Sequence, residues 1–481
     1  VLSVRGARGF AGVLAIAGLE LAGVRAHSWQ KAGVAPARDI PYADARSMID
    51  ALREDLLPAE LRVPPPAREA AWPAWVRRRD DAIRARVLRG DEDSIVNFLL
   101  YGTTFTREPR PSVAQVATLA TDQEDLPRVI ASRIDDFARA LVDPTRNERL
   151  RFSRDVVERR GIDPGTVEGA RALRQYLTDS VRRARAEVAD ASGAIRAGIQ
   201  RDGGDATLLE LRTAFRERGL STDTSMLVNF AVEQTLDEMK SRKLLTAAGV
   251  QRVGLVGPGL DFTDKDEGYD FYPVQTIQPF ALIDSLVGLG LARADRVQVT
   301  TLDVNPRINR HLEEARARAG QGSPYRLVLP RDMEKPWRAP LVAYWERVGR
   351  FVAGAAETGT APAHAGKVRA RTLAVRPEIV RSIVPAEANI VLQRLEPLAP
   401  DERFDLIVAT DVLVYYDVFE QSLALANAAA MLRKGGLLVS NTALPTLPGI
   451  PMDEAGRIEV RHMPLPGIGE LKDRMVWYRR Q

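Results

Sequence analysis

Five carboxylates and two tyrosines in the second half of the chain stand just past strand-like runs, where open α/β sheets meet their ligands. The first follows VGLVGPGLDF, Val253 to Phe262. Its apolar run breaks into Gly257-Pro258-Gly259, and Asp261 comes directly after. The glycines supply backbone conformations and a close approach that a residue with a Cβ cannot. The next run ends VTTLDVNP and places Asp303 at its carboxyl end. A carboxylate there can accept two hydrogen bonds from the hydroxyls of a ribose. A third run, Asn389 to Arg394, leads into Leu395-Glu396-Pro397-Leu398 and offers Glu396 as a further acid past a strand. The fourth, FDLIVATDVLVYYD, reads as a buried strand from Phe404 to Ala409 that ends in Thr410-Asp411. Asp411, Tyr415, Tyr416 and Asp417 are candidates for a general base or for orienting a reacting group.

Composition removes several other chemistries. There is no cysteine, which excludes disulfides, cysteine-ligated zinc and a thiol nucleophile. The four histidines (His27, His311, His364 and His462) are scattered without metal-ligand spacing, so no metal site is expected. Lys and Arg number 68 against 64 Asp and Glu, and the two signs alternate along helices. That interleaving describes solvated helix faces and argues against a nucleic-acid partner, despite a pI near 9.3.

These residues need a sheet to hold them, and the pattern supplies one. From Gln251 onward strands alternate with helices, the signature of a parallel α/β sheet. Strands are expected at 251–257, 296–303, 388–394, 404–410 and 436–441, with two more at 457–463 and 474–480. Helices fall at 275–290, 306–319 and 417–433. The span from about 320 to 386 is too long for a connection and reads as an insertion. Its Trp337 to Ala356 part is helical in pattern, and Gly354 to Lys367 is a loop.

The first half reads differently. Residues 1–26 fit either a secretory signal peptide or an N-terminal helix, since Arg5 and Arg8 precede an apolar run that Glu20 interrupts. A true signal peptide would make the protein exported, whereas dependence on a cofactor made in the cytoplasm would make it cytoplasmic. The run is too short and interrupted for a membrane span, and no later stretch qualifies. Residues 27–75 form a Pro/Ala-rich linker or wrapping segment, and 76–248 a helical region. Trp75, Ile83, Val87 and Leu88 mark one apolar stripe, and Ile95, Phe98 and Leu99 another. Helices are expected at 126–142, 147–160, 167–200 and 224–245. The stretch from Asn97 to Arg107 reads as a loop packed between helices, with a pocket lining as the alternative. Asn229, Glu233 and Asp237, four residues apart, share a helix face expected to be solvated.

The order of the motifs resembles the class I S-adenosylmethionine-dependent methyltransferases over 249–481. The Asn389 to Asp417 portion is most similar to the chemotaxis-receptor carboxyl methyltransferases, and MLRKGGLLVSNT, Met431 to Thr442, resembles the family's helix, glycine turn and fifth strand. The resemblance implies a Rossmann-like methyltransferase sheet preceded by a mainly α-helical region, with S-adenosylmethionine as cofactor. It implies that Gly257, Pro258, Gly259 and Asp261 lie under the methionine moiety and that Asp303 holds the ribose. Glu396 would face the adenine. Asp411, Tyr415 and Tyr416 would stand beside the reactive centre. The acceptor would be a small molecule or a protein; cytosine C5 is disfavoured because no cysteine exists.

Three departures stand out. Leu255 occupies the family's acidic position before the first glycine, and Asp261 replaces its third glycine. Gly259 and Asp303 are 44 positions apart, against about 20 in a dinucleotide-binding unit. The excess is a loop, Asp261 to Phe280, whose Tyr269, Phe271 and Tyr272 suggest a lid or substrate clamp. Two other functions stay open at this level. One is a non-catalytic scaffold with a degenerate Rossmann-like domain, and the other is a nicotinamide-dependent oxidoreductase. Oligomeric state is not written in the sequence.

Overall fold

Apolar residues at helical spacing make the first half of the chain helical. The structure, a computed structural model, describes residues 35–111, 126–202, 219–220, 225–263, 269–465 and 469–481. The 1–26 segment lies outside them. Strand β1 (Ala37–Asp39) and helix α1 (Tyr42–Ala51) come from the Pro/Ala-rich stretch. Helix α2 (Pro65–Tyr101) starts with proline, where a missing N–H costs nothing, and Trp72 Nε1 in it donates to the Ile40 carbonyl at 2.9 Å. Trp75, Ile83 and Val87 are buried as expected, but Leu88 is 57% exposed, since one further residue turns it about 100° off that face.

Helices α3 (Arg128–Val142), α4 (Glu148–Arg159) and α5 (Val167–Asp202) pack on the end of α2. Their shared core includes Phe98, Phe137, Leu150 and Leu173, and Phe262 from beyond the glycine turn joins it. Helix α6 (Met226–Ser241) belongs instead to the α/β core. Its Asn229 and Glu233 are buried, contrary to the solvated face expected, whereas Asp237 is exposed. Glu233 is buried because it is paired: Arg347 Nη1 donates to it at 2.8 Å and Ser285 Oγ at 3.1 Å.

The second half forms the sheet. In chain order its elements are β2 (Arg252–Val256), α7 (Gln278–Gly288), β3 (Gln298–Asp303) and α8 (Pro306–Gly320). Then come β4 (Tyr325–Asp332), α9 (Ala339–Arg347), β5 (Glu357–Gly359), β6 (Val368–Val375) and α10 (Pro377–Arg381). The chain closes with β7 (Ile383–Glu387), β8 (Gln393–Leu395), β9 (Phe404–Ala409), α11 (Val418–Met431), β10 (Leu432–Ser440), β11 (Met452–Leu465) and β12 (Gly469–Arg480). Seven strands pair in the order β11-β12-β10-β9-β2-β3-β7. Neighbours from β10 to β7 are parallel, and β12 runs antiparallel between β10 and β11. Counted from β2, the order is 3-2-1-4-5-7-6. A dinucleotide-binding sheet ends instead on a sixth strand beside the fifth, in the order 3-2-1-4-5-6. The insertion is a separate antiparallel sheet, β4-β6-β5, with α9 on it.

The third strand differs from expectation. It is residues 383–387, not 388–394, because the chain turns at Asn389, whose side chain accepts the Val391 N–H at 3.2 Å. Such local bonding by Asn competes with a strand ladder. Residues 393–395 then leave the sheet and pair with β1.

Candidate active site

Strand order reverses on either side of β2, and a pocket opens where β2, β3 and β9 end. Its volume is about 660 Å³, open mouth included. Gly257, Gly259, Asp303, Asn305, Thr410, Asp411, Tyr415 and Tyr416 line it, with Ala388 to Ile390 just past β7. Val87 of α2 and Leu220 bring the helical half to its wall. Among the described lining residues none is basic.

The glycines are there for backbone reasons. Gly257 and Gly259 have φ of 64° and 73°, which side chains rarely adopt. A Cβ on Gly257 would stand 2.4 Å from Cγ2 of Val412. The Gly257 N–H donates to the Leu302 carbonyl at 3.0 Å, fixing the turn beside the end of β3. Pro258 does not line the pocket; its carbonyl accepts Thr276 Oγ1 at 3.3 Å. Asp261 is buried behind the turn. Its N–H donates to the Gln275 carbonyl at 2.7 Å, and its carboxylate accepts Gln275 Nε2 at 3.0 Å. Gln275 also exchanges hydrogen bonds with the Val328 backbone, so Asp261 ties the turn to the inserted sheet.

Asp303 ends β3 with its carboxylate buried, and burial pushes its pKa up to about 7. The Asn305 N–H donates to one oxygen at 2.7 Å. Asn305 caps α8 by accepting the Arg307 N–H at 2.9 Å, a position marked in the sequence by Asn followed by Pro. Nδ2 of Asn305 and Oδ1 of Asn309 are buried without a partner among the described residues. An open glycine cradle, a carboxylate at a strand end and orphaned polar atoms beside it suit a ligand that carries vicinal hydroxyls.

Across the pocket Asp411 follows β9 with φ of 57°. Asn441 holds it in that conformation: the Asp411 N–H donates to Asn441 Oδ1 at 2.9 Å, and Asn441 Nδ2 donates to the Asp411 carboxylate at 2.5 Å. Thr410 Oγ1 accepts Gln278 Nε2 at 2.7 Å. Arg86 of α2 lies 6.0 Å and 5.7 Å from the ring centroids of Tyr415 and Tyr416, and donates to the Tyr415 carbonyl at 3.0 Å. Burial raises the Tyr416 hydroxyl above its ordinary pKa, so it stays protonated and can donate a hydrogen bond. Asp417 is turned to structure, capping α11 in a reciprocal box with Glu420.

Other expected site residues lie elsewhere. Glu396 sits outside the pocket, accepting Arg394 Nε at 2.5 Å. Tyr269 and Tyr272 are buried with Val328 and Ala370 of the inserted sheet and do not line the pocket. Asp270 between them accepts the N–H and hydroxyl groups of Thr103 and Thr104, so the 97–107 stretch grips this loop. Residues 264–268 of that loop lie outside the described ones. Asn389, Ile390, Val87, Leu220 and Arg86 carry no motif that would have singled them out. Asn305 did, through its Asn-Pro pair.

Neither a protein-family model nor a curated protein sequence matches the chain. Among solved structures it is similar to the N-methyltransferase NodS from Bradyrhizobium japonicum WM9, at 16% identity over 52% of this chain and 97% of that one, with a TM-score of 0.24. The glycopeptide N-methyltransferase MtfA complexed with S-adenosyl-L-methionine matches at 12% identity over 54% of this chain and 96% of that one, with a TM-score of 0.20. Scores this low carry no inference about this chain.

Proposed function

We propose that the chain is an S-adenosylmethionine-dependent methyltransferase, with the cofactor held by the α/β half and roofed by α2. The observation that carries this reading is the charge and shape of the switch-point pocket. It offers two carboxylates, Asp303 and Asp411, and an open Gly257–Gly259 backbone, with no basic lining residue among those described. That suits a cation bearing a ribose. It suits a pyrophosphate poorly, and among the described residues the next helix, α7, starts only at Gln278, away from the glycine turn.

When bound, the cofactor supplies a methyl group already activated on a sulfonium. The protein's task is then positioning and electrostatic support. Gly257 and Gly259 let the backbone approach the ligand. Asp303 accepts the two ribose hydroxyls. Ala388 to Ile390 flank the base in place of Glu396. Asp411, fixed by Asn441, faces the cationic end, and Tyr415 and Tyr416 orient the acceptor. The acceptor is a small molecule or a protein that presents a carboxyl, hydroxyl or amine.

Equilibrium binding of S-adenosylmethionine and of a nicotinamide dinucleotide to the full chain tests the reading. One saturable S-adenosylmethionine site and no specific dinucleotide binding are expected. The reverse pattern would overturn it.

A further inference from the structure

At the other end of the sheet, where β9 and β10 begin, a second cavity of about 960 Å³, open mouth included, lies between the wrapping segment and the turn after β8. Four guanidinium groups line it, from Arg38, Arg394, Arg403 and Arg480, against the carboxylates of Asp44 and Glu396. Arg394 takes both carboxylates. The other three arginines have no carboxylate in ion-pair range among the described residues, so the four guanidiniums and two carboxylates of the lining leave a net charge of +2.

Two of these cations are tied to the backbone. Arg403 Nη1 donates to the Ala430 carbonyl at 2.6 Å, and Arg480 Nη1 donates to the Leu432 carbonyl. Cations are favoured at a helix C-terminus such as that of α11, which accounts for one N–H of each. It leaves their other donors without a protein partner among the described residues, and there Nε of Arg480 is buried with none. It also says nothing of Arg38, which sits directly opposite Arg394 in the β1–β8 ladder. Like charges facing each other across strands are destabilising. Burial and the nearby Arg403 both lower the pKa of Arg480, the direction an uncompensated cation takes. Guanidinium forks match tetrahedral oxyanions, and a phosphate carries close to two charges at neutral pH.

We propose that this cavity binds a phosphate-bearing anion through Arg38, Arg403 and Arg480. The site lies at the strands' amino ends, away from the switch-point pocket, and does not rest on the methyltransferase reading. Calorimetric titration of the full chain with inorganic phosphate, and in a parallel arm with adenosine monophosphate, against sodium chloride at equal ionic strength, tests it. Saturable binding is expected in the phosphate arm, the nucleotide arm or both. Tighter nucleotide binding identifies a phosphate ester as the ligand; tighter phosphate binding identifies the free ion. Arg38→Gln, an exposed change that leaves the helix end intact, should weaken binding about threefold or more, and Arg38→Gln with Arg403→Gln about tenfold or more. S-adenosylmethionine affinity should be unchanged in Arg38→Gln, which keeps the two readings separable. No saturation beyond chloride in either arm, or affinity unchanged in both variants, would overturn the proposal.

Discussion

Asp303 concentrates the chemistry at the residue scale. Its folded pKa of about 7 lies above the unfolded value, so the native state holds more protons than the unfolded one between about pH 4 and 7. The stability this group contributes is full below about pH 4 and is lost as pH rises toward 7. Ligand binding runs the other way, because the ionised carboxylate is the better acceptor of ribose hydroxyls. S-adenosylmethionine affinity should therefore fall by up to about tenfold per pH unit below 7, and the slope should flatten in Asp303→Asn. Calorimetry at several pH values reads both. At pH 8, Asp303→Ala should cost about 1.5–3 kcal/mol of binding through loss of hydrogen bonds to a charged group. Gly257→Ala should weaken binding further than its effect on melting temperature suggests, since its Cβ would push Val412 within the pocket wall. Residue types revealed much of this site. Gly257, Gly259, Asp303 and Asp411 were legible because each follows a buried apolar run. Glu396 was misplaced because the run before it, Asn389 to Arg394, is as apolar as a strand while Asn389 bonds its own neighbours and turns the chain.

At the scale of elements, α2 decides how the pocket is covered. Along one helix Asp80 accepts Asn389 Nδ2 at 2.8 Å, Arg84 pairs with Glu387 at 2.5 Å, and Arg79 pairs with Glu420. With Arg86 on Tyr415, α2 clamps both the chain after β7 and the chain after β9. These pairs differ in worth. Arg84 and Glu387 are half-exposed, so Arg84→Ala should cost no more than about 1 kcal/mol. Glu420 is 1% exposed, and Arg79→Ala would leave it with the Asp417 N–H but no countercharge, at about 3–5 kcal/mol. Chemical denaturation distinguishes the two, and comparable losses would show that Glu420 has another route to water. The helix itself was readable from its 3.6-residue period. Its partners were not, because they lie some three hundred positions away and no local pattern records them.

For the whole molecule, near-cancelling charge hides an uneven use of arginine. Arg133 and Arg149 are buried and spend their donors on backbone carbonyls: Leu99, Gly102 and Glu108 for the first, Asp261, Phe262 and Tyr272 for the second. Arg149 thus stitches the helical half to the loop behind the glycine turn, and Phe262 is shared with the helical core. Arg149→Met should leave two or more carbonyls unsatisfied, destabilise the protein by about 2–4 kcal/mol and weaken S-adenosylmethionine binding together with it. Full stability with normal binding would show that the loop holds its shape unaided. A sequence that alternates Arg with Asp and Glu reads as solvated helix surface, so these inward-facing arginines were invisible in it. Among the described residues no helix is long and apolar enough to cross a membrane.

A crystal structure of the full chain with S-adenosylhomocysteine tests the central claim most directly. The account predicts the ligand in the pocket at the ends of β2, β3 and β9, its ribose hydroxyls on the Asp303 carboxylate and its amino-acid end against Gly257–Gly259. A ligand bound elsewhere, or a ribose that does not touch Asp303, would contradict it.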